Sequence, residues 1–182
     1  MISCCEAEVD LLTGNVKLMR VDILEDVGES MSPGVDVGQI EGAFVMGLGY
    51  WLTESLIFNR DNGELLTNRT WTYKPPGAKD IPIDFRVNFI RNSSNPYGVL
   101  RSKGKFEFQH LKGLNLTLIL ATGEPATAMA VVVLFAIRHA LDSARIDSGL
   151  KTDDDFYHLG APTTAETIFL SANNVTEQFL FK

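Results

Sequence analysis

Residues 5–11 (CEAEVDL) and 16–25 (VKLMRVDILE) alternate apolar and polar positions on either side of Leu12-Thr13-Gly14-Asn15, the pattern of a β-hairpin. The turn-rich stretch GESMSPGVD that follows ends at Asp36, a residue suited to cap a helix, and Ile40, Phe44, Leu48, Trp51 and Leu52 then recur at three- and four-residue steps. This spacing predicts a helix over 37–58 with one bulky apolar face. Gly38, Gly42, Ala43, Gly47 and Gly49 lie on the same helix, where each glycine costs up to ~1 kcal/mol of helix propensity. Another element must therefore lie close against it.

Asp61-Asn62-Gly63 reads as a turn, and TNRTWTYKPPGAKDIP as a long loop in which Pro75 and Pro76 forbid a regular helix. DFRVNFIR (84–91) alternates Phe85, Val87 and Phe89 with polar partners and predicts a half-buried strand, and VLRSK a second short one. Pro125 to Ala144 has the strongest helical pattern: proline at the first position, an apolar body, and Arg138, His139 and Arg145 toward the C-terminal end. Thr163 with Glu166 forms a capping box leading a last helix to about Ala172. The expected fold is α+β, one domain over 1–182, with a strand hairpin, further mixed strands and about three helices, near 37–58, 125–145 and 164–172.

Composition narrows the function. Of the 182 residues, 45% are hydrophobic and 21% charged, which suits a packed globular domain. The net charge of −7 is the wrong sign for binding a phosphate backbone, so no nucleic-acid partner is expected. Cys4 and Cys5 are the only cysteines and are adjacent, which leaves no disulfide framework and no four-cysteine cluster. The start MISCCEAEVD lacks a basic region followed by an apolar one, so no export is expected. The apolar stretches at 114–120 and 126–137 fall short of the ~20 residues that span a bilayer, so no membrane partner is expected either. The expected location is the cytoplasm.

His110, His139 and His158 are far apart, and Asp153-Asp154-Asp155 lacks the spaced ligands of a calcium loop, so no protein-held metal is expected. Gly47-Leu48-Gly49 is neither a P-loop nor a dinucleotide fingerprint, because it sits inside an apolar helical pattern. Glu124 stands out, an ionisable residue between an apolar run and an apolar helix in Ala121-Thr122-Gly123-Glu124-Pro125. It is either a positioned base, its pKa drawn up by burial and down by the helix start, or a helix cap. Gln39, beside a glycine-lined helix start, can bond a ligand or satisfy nearby backbone.

Three segments together resemble one family across nearly the whole chain: DVGQIEGAFVMGLGYWLTE, LLTNRTWTYKPPGAKDIPIDFRV and ATGEPATAMAVVVLFAIRHALDSAR. They are similar to the C-terminal part of the molybdenum-cofactor domain of the xanthine dehydrogenase and aldehyde oxidase family, and TNRTWTYKPPGAKDIPIDFRV resembles its insect aldehyde oxidase branch. The resemblance implies that Glu124 is the catalytic glutamate, that Gln39 hydrogen-bonds an oxygen ligand of molybdenum, and that Gly123 approaches the metal centre. The implied reaction hydroxylates an aldehyde or an N-heterocycle with oxygen from water: Glu124 takes a proton from a metal-bound hydroxyl and hydride passes to the metal centre. The cofactor is molybdenum with molybdopterin, held by dithiolene sulfurs. FAD and [2Fe–2S] clusters belong to upstream domains that this chain does not contain, and full-length members are homodimers.

Family members run almost directly from a segment like VLRSK into ATGEP, whereas here 17 residues, GKFEFQHLKGLNLTLIL (104–120), intervene. We read them as an intron translated in frame. Gly104-Lys105 is compatible with GGT-AAR, giving a GT donor, and Leu120-Ala121 with YTA-GCN, giving an AG acceptor, so that splicing yields VLRSKATGEP. The other reading is a surface-loop insertion, which costs little when it bulges into solvent. Genomic and transcript reads across Lys103 and Ala121 are expected to show a GT…AG interval missing from mature messages; codons incompatible with those sites end the intron reading.

Overall fold

The structure is a computed structural model that describes residues 1–28, 30, 32–90, 120–149 and 157–172. Three strands form one mixed sheet in the order β1 (Ile2–Val9), β2 (Val16–Glu25), β3 (Asp84–Phe89). β1 and β2 make the expected antiparallel hairpin, from Ile2 opposite Leu24 to Val9 opposite Val16. β1 stops two residues before the predicted end because Asp10 builds the turn. Its carboxylate accepts from the Leu12 N–H at 2.9 Å and the Thr13 hydroxyl at 2.7 Å, and its carbonyl accepts from the Gly14 N–H. Gly14 has φ +71°, and a Cβ there would collide with the Ala165 carbonyl, so this position excludes side chains twice over.

Met19 is an extra residue in β2, between the pairs Glu6–Arg20 and Ala7–Leu18. Beyond this bulge Val21, Ile23 and Glu25 face the interior. The opposite face is a checkerboard of charge. Arg20 pairs with Asp22 along β2 at 2.6 Å and Arg86 with Asp84 along β3 at 2.6 Å. The parallel register also sets Arg20 opposite Asp84 and Asp22 opposite Arg86.

Helices cover the apolar face. α1 (Pro33–Leu48) buries Ile40, Phe44 and Leu48, and the Phe44 ring meets Phe85 of β3 at 5.3 Å. The helix starts earlier than predicted, with Ser32 at the cap, so Asp36 lies inside its first turn and is fully buried. It also ends earlier. A π-turn, Gly49–Thr53, is closed by the Glu54 N–H on the Gly49 carbonyl at 2.8 Å, and Glu54 is already extended.

The predicted helix over 125–145 is two helices, α2 (Leu120–Met129) and α3 (Val132–Asp147), with a break at Ala130-Val131. Pro125 lies inside α2 rather than at its start. α2 reaches back through Gly123-Glu124, and the span Thr122–Asp147 has 26 residues at mean hydropathy 1.4, long and apolar enough to cross a membrane. One side of it is nevertheless built into the protein core, since Ala126, Ala130, Val133, Ile137 and Leu141 are all fully buried.

The last helix, α4 (Ala165–Ser171), is capped by Thr164 rather than Thr163: its side chain accepts from the Thr167 N–H, while the Thr163 hydroxyl donates to the Gly160 carbonyl. Tyr157 ties this segment to α3. Its ring lies between the guanidinium groups of Arg138 and Arg145, at 4.9 and 4.7 Å, and its hydroxyl donates to Asp142. Burial, then the Asp142 bond, holds the phenol far above its usual pKa. The VLRSK strand and the 104–119 part of the suspected insertion lie outside the described residues; Leu120 opens α2.

Glu25 is 3% exposed at the end of β2, and its Oε2 has no hydrogen-bond partner. Burial raises its carboxyl to about 7; the amino terminus opposes the rise and Asp36 adds to it. The folded state therefore holds this proton more tightly than the unfolded chain, whose value is near 4.5. The stabilisation is complete below pH 4.5 and lost as pH rises through about 7. In urea unfolding, Glu25→Gln is expected to match the parent near pH 4.5 and to exceed it at pH 8. A difference that does not change with pH contradicts this assignment.

Candidate active site

α1 and α2 lie side by side and run the same way. A Cβ on Gly123 would stand 3.2 Å from the Ala43 Cβ and 3.4 Å from the Gln39 carbonyl. Further along, a Cβ on Gly47 would stand 2.6 Å from both the Thr127 carbonyl and the Ala130 Cβ. Positions 39 to 47 of one helix thus face 123 to 130 of the other in the same order, which is a parallel pair with both N-termini at one end. The glycines explain the close approach that the sequence demanded. Gly38 and Gly42 do something else, since nothing lies within 4 Å of where their Cβ atoms would be.

The burial pattern orients the pair. Ile40, Phe44 and Leu48 on α1, with Thr122 and Ala126 on α2 and Ala130 just past its end, turn into the core. Gln39, beside the exposed Gly38 and Gly42, and Glu124, beside the exposed Thr127, turn out. Gln39 and Glu124 therefore stand on the outer side of one seam, with Gly123 between them against the Gln39 backbone. The seam brings together all three residues singled out from the sequence.

One expectation fails in detail. Glu124 is neither buried nor on a turn ahead of the helix; it is exposed, on the second turn of α2. Its side chain is open to solvent on the outer side of the seam. Chemically, the seam offers one proton acceptor, one amide that can donate or accept, and bare helix backbone at Gly38 and Gly42 that a flat group can approach. Among the described residues no group of three or more His, Cys, Asp or Glu could hold a metal ion.

Sequence reading missed the buried acid pair where β2 leads into α1. Asp36, fully buried in the first turn of α1, accepts from Ser30 at 2.5 Å, and its Oδ1, like Glu25 Oε2, has no partner. The signal was available: with the apolar alternation Val21, Ile23, the period of two puts Glu25 on the inner face.

Residues 1–82 match the family model of a molybdopterin cofactor-binding domain. The xanthine dehydrogenase/oxidase of Mus musculus is 37% identical over 98% of this chain and 12% of its own length. The indole-3-acetaldehyde oxidase of Arabidopsis thaliana is 37% identical over 90% of this chain and 11% of its own length. The chain thus spans about an eighth of the length of the curated relatives it matches. Among solved structures, the quinoline 2-oxidoreductase of Pseudomonas putida 86 shares the fold, with a TM-score of 0.67 at 24% identity, over 92% of this chain and 18% of that one.

Proposed function

We propose, for a chain that belongs to the molybdopterin cofactor-binding domains of the xanthine dehydrogenase and aldehyde oxidase family, that the α1–α2 seam is the protein side of a molybdenum hydroxylase active site. The observation that carries this reading is the placement of Gln39, Gly123 and Glu124 on one seam, with uncovered helix backbone at Gly38 and Gly42 beside them. The residues fit the cofactor: the seam is narrow, free of side chains at two glycines, and carries a hydrogen-bonding amide and a base. Bound there, the molybdenum cofactor supplies the two-electron acceptor. Gln39 holds an oxygen of the cofactor through its side-chain amide, and Gly123 leaves room for close approach.

Glu124 acts as the general base. Its carboxylate accepts the proton from the water-derived oxygen that becomes bonded to the substrate carbon. A base of this kind contributes about 10²–10⁴ in rate and must come within ~3 Å of the proton it takes. The substrate is a small aldehyde or an electron-poor N-heterocycle such as a purine. The aldehyde is favoured by the stretch TNRTWTYKPPGAKDIPIDFRV, with its resemblance to insect aldehyde oxidases. FAD and [2Fe–2S] centres outside this chain would take up the electrons, in a cytoplasmic homodimer.

The second reading is a folded remnant that binds no cofactor, and the open exposure of Glu124 favours it. The full chain, purified from a host that makes the cofactor, is expected to carry stoichiometric molybdenum and pterin by metal analysis and pterin fluorescence. Glu124→Gln is expected to keep the metal and lose about 10²–10⁴ in aldehyde oxidation when electron acceptors are supplied. A clean, folded, metal-free chain overturns the enzymatic reading in favour of the remnant.

A further inference from the structure

The contact at Gly47 is tighter than the one at Gly123, and it lies at the far end of the seam from Gln39. Any side chain at Gly47 meets the backbone carbonyl of Thr127 and the Ala130 Cβ at 2.6 Å, well inside van der Waals distance. A carbonyl built into a helix cannot turn aside as a flexible side chain can, so α2 itself has to move. Gly38 and Gly42 on the same helix have open space, and Gly63 and Gly149 serve turns. The demand at Gly47 is therefore specific to the α1–α2 spacing.

We infer that Gly47 is a positioning residue for Glu124. By letting α2 rest on the backbone of α1, it fixes where Gly123 and Glu124 stand relative to Gln39, about two turns away along a rigid helix. A Cβ at 47 levers α2 outward or along its axis, and the displacement passes to Glu124 through the helix between residues 124 and 127. A shift of about 1 Å at a reacting group can cost a hundredfold in rate. The same glycine therefore matters to chemistry without touching any reacting atom. This inference rests on the reading of the seam as an active site.

The test uses the full chain, labelled with ¹⁵N, and three variants: Gly47→Ala, Gly42→Ala and the double variant Gly47→Ala/Ala130→Gly. Gly47→Ala is expected to lower the melting temperature by about 3–10 °C and to shift the amide resonances of Gln39, Gly123 and Glu124. Gly42→Ala, with open space around it, is expected to raise the melting temperature by a few degrees and leave the Gly123 and Glu124 resonances in place. In the double variant one of the two collisions is gone, and the resonances are expected to return part of the way. A general loss of stability would not move folded-state resonances at these positions, nor would it be reversed by a further truncation.

Unmoved Gly123 and Glu124 resonances in Gly47→Ala overturn the inference, whatever the metal content. If Gly47→Ala does not fold, Ala130→Ser presses on the same contact from the residue that follows α2, with one added atom, and the same resonances decide. A metal-free parent chain defeats the enzymatic reading alone, since the displacement of α2 is read without cofactor.

Discussion

Everything at the site depends on two helix backbones lying nearly in contact. Helices with ordinary side chains between them keep their axes about 8–10 Å apart. Here Gly47 faces the Thr127 carbonyl and Gly123 faces the Gln39 carbonyl, so the spacing is set by main-chain atoms. Such a spacing is hard to adjust, because a helix has no rotamers to absorb an error of a few tenths of an ångström. It also carries a cost: aligned helix dipoles repel side by side, and glycine weakens each helix on its own. Burial of Phe44, Leu48, Ala126 and Ala130 offsets that cost, making the seam a product of the core beneath it.

The sheet is the floor on which α1 rests, and its two faces have separate tasks. Outside, the Arg20, Asp22, Asp84 and Arg86 checkerboard rewards only one register of β2 on β3, because a slip by one residue would reverse every face. Inside, Phe85 meets Phe44 and fixes the position of α1 above the strand ends. The acid pair Glu25 and Asp36 sits where strand gives way to helix, an electrically costly joint.

Strong alternation made β2 and most of β3 legible in the sequence, and the capped, glycine-rich pattern of α1 announced both its apolar face and its close neighbour. What sequence could not locate were the element ends decided by tertiary bonds. Asp10 cut β1 short by folding its own turn, and the π-turn at Gly49–Thr53 ended a helix whose apolar period ran on to residue 58. The break at Ala130-Val131 was hidden because both residues are good company in an apolar helix. Gln39, Gly123 and Glu124 were singled out through family likeness, and the structure sets Gly123, next to Glu124, against the Gln39 backbone; the exposure of Glu124 was not legible, since it depends on what packs around α2. Thr163 and Thr164 are interchangeable on paper, and only the hydroxyl's bond to Gly160 decided between them.

The parallel pairing of β2 with β3 gives the chain an uneven assembly order. β1 and β2 meet across a short turn and can zip together early, as local contacts do. β3 lies about sixty residues downstream of β2, with α1 and the long loop between them, so its strand pairing must wait until that excursion has been gathered in. A growing polypeptide would thus present a finished hairpin, with the Ile23 edge uncovered, well before residue 84 is available to seal it.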